Sequence, residues 1–421
     1  MPKINLKSRI KLFVYLLFST INYKGNLRFI LKIFLICLFI SSCGIESKNP
    51  VEIPQDTIPK LSAEEIRVRD SLKREEIIAK SDTFPQINYS KIVIENKKHL
   101  RKILREWGFS RKNKIKNKVF ITLNRKETRY LRVGDTLVVP DTIVENILAY
   151  SVFPHFYPVA DTIDKLIIIS NLFQSYACYE MGKLVRFAAC NTGKERTPTF
   201  PGRYALVWRD KKRLSSLDSN WVLPYTWNFH RYAGNAFHQF SMPGYAASHS
   251  CVRQFMSDAR WLYNWGRGVR VKDGKQIWLS GTPVVILGMP DYSRRRSGPW
   301  TDLKSNKDGR FRLNYNPYDV EEAYIPITQI PEVIAGWIPN RKRYLVAEDT
   351  LRARGIISED VKLIVSVDFN KLRREKREKE IADSLKKNKI QLEKDKTDLE
   401  LIEKQLKDLN TSDSTQKKRF W

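Results

Sequence analysis

His238, His249 and Cys251 have the residue types that nucleophilic catalysis uses, and they lie close together in the chain. A thiol is a few per cent thiolate at neutral pH, and an imidazole that accepts its proton raises its reactivity. The cysteine sits in "YAASHSCVRQFMSDARWLYNWG", Tyr245 to Gly266, between a histidine and an arginine and just before a helix-like segment. Cys251 therefore reads either as a working nucleophile or as one more buried thiol.

The compartment bears on that choice. After a basic stretch, "FLICLFISSC" from Phe34 to Cys43 gives a short apolar run, small residues and a cysteine. This resembles a bacterial lipoprotein signal, with Ile40, Ser41 and Ser42 ahead of an acylated Cys43. The run is interrupted by Lys32 and falls short of the about 20 apolar residues a membrane-spanning helix needs. Residues 1–42 are thus expected to be a signal peptide, Cys43 the lipidation site, and the mature chain to lie in the cell envelope (periplasm), anchored to a membrane. Cys178, Cys190 and Cys251 remain in a disulfide-permissive setting. "SYACYEMGKLVRFAAC" alternates and turns at Met181-Gly182, as a hairpin does. A two-residue turn there sets Cys178 opposite Val185 and Cys190 opposite Phe173, so a disulfide between them is not expected. Both read as core thiols.

The elements that must position Cys251 follow from pattern. Residues 43–92 are polar, with Pro50, Pro54, Pro59 and a charged helical stretch, "SAEEIRVRDSLKREEIIAKSD", and read as a tether. Residues 93–145 hold "LRKILREWGF", with helical spacing, and "YLRVGDTLVVP", a turn at Gly134-Asp135 into a strand. The second piece resembles the end of a LysM glycan-binding module; a generic small α/β subdomain is the alternative. From 160 to 290, "KLIIIS", "QSYACYE", "KLVRFAAC", "RYALVWRD" and "TPVVILGM" are strands between turn residues. One helix is expected there. Ser257 is its N-cap, Asp258 complements its dipole, Gly266 ends it, and Trp261, Leu262 and Trp265 pack it on the sheet. Residues 291–368 form an extension without an assigned fold. Residues 369–415 form a charged helix with Leu385, Leu392, Leu399 and Leu406 every seventh position. That spacing fits either a coiled coil that self-associates or a single solvated helix.

Between Gly193 and Gly281 several motifs fall in one order: Gly193-Lys194, Thr197-Pro198-Thr199, His238, Ser248-His249-Ser250-Cys251, Arg253 and Gly281-Thr282-Pro283-Val284. On these residues the segment resembles the L,D-transpeptidase (YkuD) family, over roughly a third of the chain. The resemblance implies a mainly β (α+β) catalytic domain of β-sandwich or barrel type with one packed helix. It implies Cys251 as nucleophile and His238 as proton acceptor, with His249 as alternative base or shaping the site. Backbone N–H groups around Ser250 and Cys251 would form the oxyanion hole. Arg253 would hold a substrate carboxylate or make a structural salt bridge. Tyr225 and Trp227 would line the peptide groove. Ser250 stands where the family has glycine, which places a side chain at a position expected to need positive φ. The spacing from His238 to Ser248 is also shorter than in many members.

The chain has 421 residues and a formal net charge of +29. Such an excess favours anionic partners without choosing among them. No zinc-finger spacing, phosphate-binding glycine loop or RRM signature accompanies it, and an export signal argues against nucleic acid. The partners implied by the resemblance are peptidoglycan stem peptides, cleaved at the third residue with release of D-Ala, and the membrane through the lipid. Cross-linking, carboxypeptidase action or binding alone are the outcomes in view. No metal or organic cofactor is needed, and acylation by carbapenems is expected.

Overall fold

A computed structural model describes residues 62–215, 220–308, 311–314, 316–339, 341–365 and 369–416. The expected signal peptide and Cys43 lie outside the described residues. The chain divides into Met1–Glu65 and Ile66–Trp421. The first unit contributes the start of helix α1 (Ala63–Ser81). There Ser62 and Glu65 cap each other, with Glu65 N donating to Ser62 Oγ (3.2 Å) and Ser62 N to the Glu65 carboxylate (2.7 Å).

The expected tether ends earlier than 92. Ile87 is fully buried, and strand β1 (Tyr89–Val93) follows at once. Helices α2 (Lys97–Trp107) and α3 (Lys114–Asn124) lead to β2 (Thr136–Pro140), which pairs antiparallel with β1, Tyr89 opposite Pro140. This strand-helix-helix-strand unit has its own apolar centre of Ile94, Ile103, Trp107, Phe120, Leu131 and Leu137. Asn96 caps α2 by accepting from His99 N (2.9 Å). Gly134, at φ +87°, makes the bend into β2.

The nine-stranded, curled sheet consists of β3 (Leu166–Ser170), β4 (Ser175–Glu180), β5 (Lys183–Asn191), β6 (Gly202–Ala205), β7 (Arg209–Leu214), β8 (Val222–Asn228), β9 (Ala236–Gln239), β10 (Val252–Gln254) and β13 (Pro283–Leu287). A small hairpin, β11 (Val271–Lys272) and β12 (Lys275–Gln276), stands apart from it. The strand order is β6-β13-β3-β4-β5-β10-β9-β8-β7. β3 is buried throughout and apolar from Leu166 to Ile169 because both faces are covered. Ile167, Ile169, Tyr176, Cys178 and Cys190 point into one layer; Leu166, Ile168, Ala177, Tyr179 and Phe187 point into the other, against residues 147–160. The fold class is the expected mixed α+β.

Two local expectations are corrected. The hairpin turns at Met181-Gly182, both at positive φ, but a bulge between Cys178 and Tyr179 sets Cys178 opposite Arg186 rather than Val185. Cys190 N bonds Gln174 O (2.9 Å) instead of standing opposite Phe173. Both thiols are buried and free. Helix α4 (Met256–Trp265) begins before Ser257, with Phe255 at the N-cap and no side-chain cap bond. Asp258 is drawn off to Arg186 of β5 (2.5 Å), an ion pair that pins the first turn to the sheet. Leu262 is fully buried, while Trp261 and Trp265 stack at 5.2 Å and are partly buried.

The extension is part of the core. Ala323, Ile325, Ile330, Ile338, Tyr344 and Leu351 join the layer of Cys178 and Cys190. They come from the chain around α5 (Glu332–Ala335) and from α6 (Lys342–Ala353). Residues 321–323 also seal edge strand β6: Arg203 N donates to Glu321 O (2.8 Å) and Ala323 N to Arg203 O (3.2 Å). The last helix, α7 (Phe369–Gln416), leaves Leu385, Leu392, Leu399 and Leu406 exposed. Among the described residues no helix is long and apolar enough to cross a membrane.

Candidate active site

β9 and β10 run parallel, with Arg253 beside His238 and Val252 beside Phe237. Cys251 immediately precedes β10 and is half-buried at the wall of a cavity of about 540 Å³. His238, Ser248, His249, Ser250 and Arg253 line the same cavity. The expected catalytic residues are thus brought together by one parallel strand pair and the loop that returns between them.

That loop is held by the motifs upstream. Lys194 N donates to Ser248 O (2.9 Å), and Ser248 N to Thr192 O (2.9 Å). Thr197 Oγ1 donates to Ser248 O (3.1 Å) and Thr199 Oγ1 to Ser250 O (3.0 Å). Gly193 is required there, because a Cβ would lie 2.2 Å from Thr197 O. Ser250 does adopt positive φ, +68°. Its hydroxyl compensates by donating to His249 O (2.5 Å) or Asn235 Oδ1 (3.2 Å). With the Ser250 carbonyl turned to Thr199, a trans peptide aims the Cys251 N–H the opposite way.

The two imidazoles differ. Gln239 O can only accept, so its 3.0 Å contact places the proton of His238 on Nδ1 and leaves the Nε2 lone pair open. Burial pushes the His238 pKa down to about 4, with Arg253 adding to the effect. His249 Nε2 instead faces the Lys194 ammonium at 3.2 Å and accepts from it. The pKa of His249 is lowered by burial first, then by Lys194 and Arg253. The Cys251 thiol is raised above its ordinary value by burial, opposed by the Ala236 N–H and by Arg253 and Arg213. Its Sγ donates to Gly234 O at 3.6 Å. Both displacements favour the uncharged forms of the thiol and of the His238 imidazole.

Tyr225 and Trp227 do not line the cavity. Trp227 is buried, and its Nε1 donates to Leu262 O (3.1 Å) and Tyr263 O (3.2 Å) at the end of α4. Tyr225, at φ +53°, packs edge-on to Tyr263 and accepts from Arg260. Their strand neighbours Thr226 and Asn228 face the cavity instead. Trp208, Trp221, Phe240, Arg213 and Arg231 also line it, as do residues of the extension. The sequence signals only part of this: Arg213 stands in the basic run "RDKKRL", which by itself reads as a solvated strand. Among the described residues no group of three or more His, Cys, Asp or Glu is placed to hold a metal ion.

Residues 164–286 match the sequence profile of YkuD, the L,D-transpeptidase catalytic domain. No curated protein matches the chain. An L,D-transpeptidase from Stackebrandtia nassauensis is 22% identical, with 31% of this chain and 58% of that one covered at a TM-score of 0.25. One from Xylanimonas cellulosilytica is 25% identical, with coverage of 29% and 60% and a TM-score of 0.24. One from Mycobacterium tuberculosis H37Rv is 14% identical, with coverage of 38% and 74% and a TM-score of 0.24. The alignments to the first two therefore span less than two thirds of those chains.

Proposed function

We propose that this chain, which carries an L,D-transpeptidase catalytic domain over residues 164–286, is an exported peptidoglycan L,D-transpeptidase working through an acyl-enzyme on Cys251. The observation that carries the reading is the joint placement of Cys251 and His238 on one cavity, with His238 Nδ1 committed to Gln239 O. The Cys251 sulfur attacks the carbonyl carbon of the third stem residue while His238 Nε2 takes the thiol proton. The N–H groups of Ser250 and Cys251 receive the developing oxyanion. Collapse breaks the C–N bond, the imidazolium returns the proton to the departing D-Ala amine, and a thioester remains. An acceptor amine then attacks the thioester, loses its proton to His238, and releases the thiol with a new amide. Water in place of the amine gives an L,D-carboxypeptidase.

In this reading Arg253 holds a substrate carboxylate, which its 3.4 Å hydrogen bond to Ser241 O leaves it free to do. Lipidation at Cys43 and anchorage in the cell envelope follow from the leader sequence. The resemblance of residues 131–140 to a LysM ending extends the reading to glycan binding by the strand-helix-helix-strand unit. The exposed leucines of α7 suit self-association.

Incubation with disaccharide tetrapeptides should give a thioester on Cys251 by mass spectrometry, lost in Cys251→Ala. A chain that binds wall fragments but never acquires the adduct would reduce the reading to a binding protein. Labelled palmitate incorporated by the wild type and not by Cys43→Ala checks the anchor, and sedimentation velocity checks self-association.

A further inference from the structure

Four guanidinium groups line the cavity around Cys251: Arg213 from β7, Arg231 between β8 and β9, Arg253 from β10 and Arg374 from α7. Among the described residues no aspartate or glutamate lines it. Three of the four are held by rings rather than by carboxylates. Arg213 lies over Trp208 at 4.6 Å, Arg253 over Phe240 at 4.8 Å, and Arg231 over Tyr232 at 5.6 Å. Stacking fixes a guanidinium plane while leaving its N–H fork free for a planar anion. Elsewhere some arginines pair with carboxylates, as Arg186 with Asp258 and Arg354 with Glu321, while Arg209 and Arg260 also stack on rings. In the cavity the same chemistry lacks its internal partner among the described residues.

Part of the lining comes from outside the matched segment. Gln329, Pro331, Ile334, Ile364 and Val365 line the cavity. They are strapped to the Thr197 loop: Ile364 N donates to Arg196 O (2.9 Å), Arg196 Nε to Lys362 O (3.1 Å), and Gln329 Nε2 to Ile364 O (2.5 Å). An apolar lining beside stacked cations lowers the local dielectric and strengthens whatever charge pair forms there.

We propose that the cavity selects a peptide donor carrying at least two free carboxylates close to the bond to be broken, and disfavours donors in which those carboxylates are amides. This rests on the transpeptidase reading and names its substrate class. An amide offers the guanidinium one neutral acceptor in place of a charged, bidentate pair.

The test compares full-length protein acylated by two tetrapeptide donors that differ only in free or amidated side carboxylates, the adduct on Cys251 being followed by mass spectrometry. The free donor should react with a kcat/KM about tenfold or more higher. The advantage should narrow in Arg213→Gln and in Arg231→Gln, both surface-exposed, and with rising salt. Equal rates for the two donors in the wild type would overturn the proposal and leave the transpeptidase reading standing. Failure of both donors to acylate Cys251 would overturn the two together.

Discussion

The Lys194 ammonium meets Nε2 of His249 at 3.2 Å, and that contact sets the two imidazoles apart. An ammonium only donates, so the nitrogen it meets is occupied, whereas Nε2 of His238 is left open by the bond from Nδ1 to Gln239 O. His238→Gln should lower the rate of acylation by about 10²–10⁴. His249→Gln should cost less and act through the shape of the loop. Burst kinetics with a carbapenem measure both, and an equal loss in the two variants would assign the base wrongly.

The thiol and His238 are displaced in opposite directions, the first up and the second down to about 4. Both displacements work against a thiolate-imidazolium pair in the resting protein. Alkylation of Cys251 by iodoacetamide should keep rising with pH into the alkaline range, without a plateau near neutrality. Cys178 and Cys190, fully buried and with pKa values raised by burial, should stay unlabelled in the folded protein. Peptide mapping after alkylation reads all three sites.

His238 and His230 are both pushed down to about 4 by burial. Between pH 6.5 and 4 the unfolded chain binds protons that the folded chain refuses, so stability falls on acidification through that window. Urea denaturation from pH 7 to pH 4 should show a loss on the order of a few kcal/mol. No loss above pH 4 would mean that these imidazoles are solvated in the native state.

Ser250 holds positive φ with the aid of its hydroxyl. Ser250→Ala keeps the strained backbone and drops the hydrogen bonds, and should destabilise by about 1–2 kcal/mol. Ser250→Gly removes strain along with the bonds and should lie closer to the wild type. Urea midpoints of the two variants decide the order.

Gly193→Ala would drive a Cβ into Thr197 O at 2.2 Å and Thr199 N at 2.6 Å. The Thr197 loop must then shift from the Ser248 loop it supports. Acylation should fall by at least about tenfold with Cys251 itself unchanged, since small displacements at a reacting centre are costly. Near wild-type acylation would show that the Thr197 loop does not set the geometry.

The meeting of Cys251 and His238 at one cavity, and the strands that carry them, are legible in the sequence because both signals are local. "KLIIIS" becomes β3 and the Met181-Gly182 turn closes the hairpin. The bulge at Cys178 leaves no mark in the residue pattern, and one residue of slip moves every later partner. Tyr225 and Trp227 fail as groove residues for a similar reason. Positive φ at Tyr225 breaks the simple alternation, and Trp227 is claimed by the end of α4. The fold of residues 321–365 is hidden because its apolar side chains pack on strands more than a hundred positions earlier, and no short-range periodicity records that.

The loop that leads to Cys251 is clasped from outside the matched segment. Lys126 pairs with Pro243, Glu127 N donates to Met242 O (2.9 Å), and Gly244 packs on the Lys126 side chain, itself tied to Asp135 at 2.9 Å. The length of chain that is shared with relatives and the length that folds as one object are consequently different. Recombination that moved residues 164–286 alone would carry Cys251 away from two supports of its loop. The strand-helix-helix-strand unit and the extension behave as parts of one folded body, each free to change only in step with the loop it touches.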